Sequence, residues 1–163
     1  MKQISGFVAH ISKLLDMLAG LCLVTTMLLV VSNILLRRFT SLSILGTYEY
    51  VGFLTALVVG LAIANCAVQN GHIAVDFIVN RLSFRKQAII DTLTNVAALV
   101  FWGFSTWYIC GFANSLIVRG VVSPTTQMPF YPIVYLVAFG VFALCLVLLV
   151  NLLESIKRVA VKR

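Results

Sequence analysis

Charge is what this sequence has least of. Only 10% of its 163 residues are charged, against about 25% in a typical soluble domain. The acidic residues are just Asp16, Glu49, Asp76, Asp91 and Glu154. Histidine is scarce too, with only His10 and His72, and neither falls inside the apolar core of an expected span. A haem b centre between facing spans therefore lacks its ligands. The cysteines, Cys22, Cys66, Cys110 and Cys145, fall one to each apolar run and form no Cys-x-x-Cys pair. That leaves no redox-active dithiol and fits small buried hydrophobes. Serines and threonines are scattered without the base or metal cluster that an intramembrane hydrolase needs. No enzymatic function is expected, and no cofactor or metal is implied.

What is present is hydrocarbon: 61% of the chain is hydrophobic. The uncharged segments run Met17–Leu36, Tyr50–Val75, Thr92–Val118 and Gly120–Leu153. A helix needs roughly 20 apolar residues to cross about 30 Å of hydrocarbon, and each segment meets that length. The expected fold is an all-α integral membrane protein, with four transmembrane helices and interfacial amphipathic segments. It forms one four-helix domain over 1–163, with spans near 17–36, 50–68, 92–112 and 131–153. Almost no chain remains for a soluble lobe. The first run exceeds a signal-peptide core of about 7–15 residues, is followed by Arg37 and Arg38, and lacks a small-x-small cleavage pattern. It is expected to remain as the first span.

Two segments are amphipathic. In residues 1–16, Ile4, Phe7, Val8, Ile11, Leu14 and Leu15 recur at helical spacing, as in a helix lying in the interface or leading into the first span. In 73–86, Ala74, Val75, Ile78 and Leu82 share one side and Asp76, Asn80 and Ser83 another. That reads as a short amphipathic arm at the membrane surface; the alternative is a plain loop or a continuation of the second span.

The net charge of +7 lies beside the spans, where it sets topology and meets lipid head groups; it is not a nucleic-acid footprint. With four spans, Lys2, Lys13, Arg81, Arg85, Lys86, Lys157, Arg158, Lys162 and Arg163 share a side, opposite Arg37, Arg38 and Arg119. The positive-inside rule then places both termini in the cytoplasm. Tyr48, Tyr50, Trp107, Tyr108, Tyr131 and Tyr135 lie toward the less basic side.

The stretch from Asn33 to Asp76 organises the rest. It brackets the second span between Arg37, Arg38 and Glu49 at one edge and His72 and Asp76 at the other. Within the span, Gly52, Ala56, Gly60 and Ala64 are four apart and form one small-residue stripe. Close backbone approach and dispersion drive helix association in lipid, so the stripe reads as a docking face within the chain or toward a partner. Glu49 and Asp91 stand at helix starts, where a negative charge complements the dipole. No acidic residue lies deep, and no span is broken by a mid-membrane Gly/Pro pair. A self-sufficient transporter would be expected to have a deep ionisable residue and a broken span. An accessory or scaffold subunit fits better; the alternative is a stand-alone small four-helix membrane transporter.

The edge motifs carry a family resemblance. Asn33-Ile34-Leu35-Leu36-Arg37-Arg38, Glu49, Gly60, His72-Ile73-Ala74-Val75-Asp76 and Gln127-Met128-Pro129, in this order, resemble the small membrane subunit of TRAP transporters, the DctQ-type Q subunit in its unfused form. The chain departs from that family in lacking a basic residue just ahead of His72. The resemblance implies a bacterial inner-membrane protein in a tripartite system. A periplasmic substrate-binding protein captures an organic anion such as sialic acid or a C4-dicarboxylate. A large TRAP membrane subunit moves it with sodium ions, and the small subunit scaffolds and orients the large one. Arg37, Arg38, Glu49, Gly52, Ala56, Gly60, Ala64, His72 and Asp76 are the expected contacts with the large subunit or with membrane phospholipids.

Overall fold

The computed structural model describes residues 2–40, 42–69 and 84–161. Helix α1 spans Lys2–Thr40, α2 Thr47–Val68, α3 Phe84–Arg119 and α4 Tyr131–Val161. All four are long and apolar enough to cross a membrane, and no named strand occurs among the described residues. Leu21, Met27, Phe101, Phe104 and Phe139 are more than half exposed. Such a surface suits lipid, where the hydrophobic penalty of exposure vanishes.

Helix α4 is the centre of the bundle. It packs against α3, α2 and α1, and α1 packs along α2. The sequence explains its place. Ala138, Val141, Ala143, Leu144, Val147 and Leu148 are buried on a band too broad for a single neighbour. Ala143, Leu144, Val147 and Leu148 join Leu15 and Ala19 of α1 and Leu61, Ala64 and Ala67 of α2 in one core. Ala98, Leu99 and Trp102 of α3 pack against it from the other side.

The amphipathic start of the chain is not a separate element: residues 2–16 continue into the first span as one helix. At about 1.5 Å per residue, α1 is about 58 Å long, nearly twice the hydrocarbon thickness. Its inward stripe is Val8, Ile11, Ser12, Leu15 and Ala19, whereas Phe7, Leu14 and Leu18 are exposed. Ser12 is fully buried on this stripe, and its hydroxyl donates to the Val8 carbonyl at 2.9 Å. Most of the second amphipathic segment, 73–83, lies outside the described residues; 84–86 are the first residues of α3.

The ends of the helices follow local chemistry. Helix α3 stops at Gly120, which takes φ +60°, a conformation cheap only for glycine. The Gly120 N–H donates to the Ile117 carbonyl and the Val121 N–H to the Leu116 carbonyl, both at 3.1 Å. This bond pair is the Schellman closure. Helix α4 starts at Tyr131 with Pro132 in its first turn, where a missing N–H costs least.

Candidate functional site: the tied end of the bundle

The α1–α2 turn and the α3–α4 loop meet at one end of the bundle, and Glu49 joins them. Glu49 lies in the first turn of α2. Its Oε1 accepts the Thr125 N–H at 2.9 Å. Its Oε2 accepts the Thr126 N–H at 3.0 Å and the Thr126 hydroxyl at 2.8 Å. A carboxylate that receives hydrogen bonds from two consecutive amides is held in direction as well as place. Fully buried Ser123 lies beside the same carboxylate, its hydroxyl falling outside hydrogen-bond geometry.

The loop that presents these donors is itself closed. Ser123 N–H donates to the Met128 carbonyl at 2.9 Å and Gln127 N–H to the Ser123 carbonyl at 3.0 Å. Val122 and Pro129 form an isolated antiparallel bridge. Gln127 completes the reversal with φ +52°, unusual for a residue with a side chain. Gly46 is needed on the facing turn, because it takes φ +76° and a Cβ there would run into the Thr126 methyl group. One turn deeper, Phe53 of α2 meets Phe130 edge to face, with ring centroids 5.2 Å apart.

Asn33 secures the other half of the turn. Its Oδ1, on α1, accepts the Ile44 N–H at 2.8 Å, so the amide binds this chain's own connection instead of a neighbouring helix. Far along the bundle a second polar pair joins α1 to α2. Asn65 is buried, and its Nδ2 donates to Asp16 Oδ2 at 2.9 Å.

The small-residue stripe divides. Gly60 and Ala64 are buried within the chain, whereas Gly52 and Ala56 are exposed. Gly60 sits where α2 crosses α4: a Cβ there would meet Val137 Cα at 3.0 Å, and one on Gly140 would run into the Gly60 carbonyl. Gly52 has open space. Arg37 and Arg38 are exposed in the last turn of α1. His72 and Asp76 lie outside the described residues.

Sequence reasoning placed Glu49 at a helix start and assigned it to a partner or to lipid. Its partners stand 76 and 77 residues away, a distance at which no motif spacing operates. Gly140 and Asn65 were also missed. The only signal for either was a small or polar residue interrupting an apolar run.

Four helices, each long and apolar enough to cross a bilayer, define a multi-pass membrane protein. The family model for tripartite ATP-independent periplasmic transporters, DctQ component, matches residues 26–158. The chain belongs to this family of small TRAP transporter components, a family of transporter subunits and not of enzymes. No curated protein and no solved structure matches it.

Proposed function

We infer that this chain is the small permease subunit of a TRAP transporter for an organic anion, sialic acid or a C4-dicarboxylate, and that it holds and orients a large sodium-driven membrane subunit. It acts in the bacterial inner membrane with both termini in the cytoplasm, beside a periplasmic substrate-binding protein, and catalyses no reaction of its own. The observation that carries the reading is the use made of Glu49. The acid bordering the second span is spent on Thr125 and Thr126, whereas a coupling acid must be free to exchange an ion or proton. A bundle tied in this way suits a fixed support.

The exposed half of the stripe, Gly52 and Ala56, is the surface assigned to the large subunit, since small residues permit close helix approach in lipid. Gly60 and Ala64 support that surface from inside. Gly52→Leu with Ala56→Leu should reduce co-purification of the large subunit in mild detergent without lowering the thermal midpoint of the isolated chain. Full recovery of the complex would remove this face from the interface. Substrate uptake by vesicles containing this chain alone would favour the stand-alone transporter and overturn the subunit reading.

A further inference from the structure

Contacts between the helices give residues of all four a common height. Asp16 of α1 accepts a hydrogen bond from Asn65 of α2 at 2.9 Å. Gly140 of α4 lies against Gly60 and Leu61 of α2, and α2 and α4 both start at the tied end, so Asn65 is level with about residue 144. Thr106 of α3 meets Cys145 of α4 at 3.8 Å. Met17, Asn65, Leu144 and Trp107 therefore stand at nearly one height. Along the sequence they occupy different places. Met17 begins the uncharged run of α1, with Lys13 and Asp16 just before it, whereas Trp107 lies near the middle of the apolar run of α3.

We propose that the bundle stands obliquely in the bilayer, leaning by about 35° along the line from α1 to α3, because its apolar belts are staggered. The centres of the runs 17–36, 50–68, 131–153 and 92–119 define the stagger. Relative to the height of Asp16, they lie toward the tied end by about 16 Å in α1, about 9 Å in α2 and about 3 Å in α4. In α3 the centre lies about 2 Å toward the opposite end. The order of these shifts is the order of packing, α1 on α2, α2 on α4 and α4 on α3. Each step is about 6 Å across helix axes about 8–10 Å apart, which gives the lean.

An upright bundle cannot share one slab of hydrocarbon about 30 Å thick. A slab centred on α3 and α4 holds Asp16 near its midplane and Lys13 about 5 Å away. A slab centred on α1 takes in the α3–α4 loop, with Ser123, Thr125 and Thr126 about 10 Å below its surface. A charge and an open loop are both costly at such depths. Leaning brings Asp16 and the loop to opposite surfaces together. It also uses the surplus length of α3 and α4, whose runs of 28 and 23 residues rise about 42 and about 34 Å. A lean of this size lies within the range that membrane helices adopt. The bilayer and the chain alone fix this orientation, which does not depend on the subunit reading.

The test places the full-length chain in bilayers and reads depth from tryptophan quenching by brominated phosphatidylcholines. Trp102→Phe leaves Trp107 as the reporter on α3. Met17→Trp, in a chain that also carries Trp102→Phe and Trp107→Phe, puts the reporter at the same height on α1. Met17 and Trp107 are each 78% exposed, so both reporters face out of the bundle. The reporter at position 107 should be quenched best by bromines near the bilayer centre, and the one at position 17 should lie about 12 Å nearer a surface. Equal depths overturn the proposal. Polarised infrared spectra of the unaltered chain in aligned bilayers give a second reading that needs no substitution. A mean helix tilt of about 35° is expected, and a mean no greater than the usual value of about 20° overturns the proposal.

Discussion

Glu49 and Thr126 belong to different hairpins and are joined twice, through the Thr126 N–H at 3.0 Å and its hydroxyl at 2.8 Å. With Thr125 donating to the other carboxylate oxygen, the α1–α2 turn and the α3–α4 loop become one unit. Substituting Glu49 by alanine leaves two backbone amides without their acceptor. The expected result is a lowered thermal midpoint in detergent. Thr126→Val removes only the hydroxyl bond and should cost about 1 kcal/mol. Equal effects from the two substitutions would mean that the amide bonds contribute nothing.

Gly140 and Gly52 should respond in opposite ways to the same change. Gly140→Ala forces a methyl group into the Gly60 carbonyl, and backbone cannot move aside as a side-chain tip does. Overpacking of this kind costs about 1–3 kcal/mol or more. Gly52→Ala meets nothing within 4 Å and should gain up to about 1 kcal/mol from helix propensity. Chemical unfolding of the two variants side by side checks the contrast.

The Asn65–Asp16 pair can be measured as a coupling. Its 2.9 Å bond joins an amide to a carboxylate, a class worth about 1.5–3 kcal/mol in water-soluble proteins. Interhelical hydrogen bonds in membranes average about 0.6 kcal/mol, because the separated helices find other partners. The membrane value should govern, as the unfolded reference state is also in lipid. A double-mutant cycle of Asn65→Leu with Asp16→Leu should therefore give about 0.6–1.7 kcal/mol.

Asn33→Ala should act locally. The Ile44 N–H loses its acceptor while the buried core is untouched. Faster hydrogen exchange at Ile44 and the adjoining turn is expected, with a global stability change of about 1 kcal/mol or less. Unchanged exchange would show that water replaces the amide at no cost.

The four spans were legible in the sequence because their signals are local: uninterrupted apolar length, and charges at each margin. Gly60 was legible as a packing residue for the same reason, standing in a run of small residues at one spacing. Its partner was not. Gly140 lies in a different helix, and nothing in Phe139-Gly140-Val141 indicates that a backbone carbonyl arrives there. Glu49 shows the same limit, since a helix-start acid satisfies local rules whether it faces water, lipid or a loop 76 residues away. The first sixteen residues were ambiguous because an interfacial helix and a helix running on into a span share one periodicity. What separates them is the buried stripe from Val8 to Ala19, a tertiary fact.

The glycine crossing joins α2 to α4 and the carboxylate tie joins α2 to the loop that leads into α4, eleven residues apart along α2, or about 16 Å. One contact alone would leave α2 free to pivot on α4. Two separated contacts remove both rolling and sliding. A push or pull on the tied loops is then passed along the bundle as displacement of a whole strut, with little dissipated as bending at its tip.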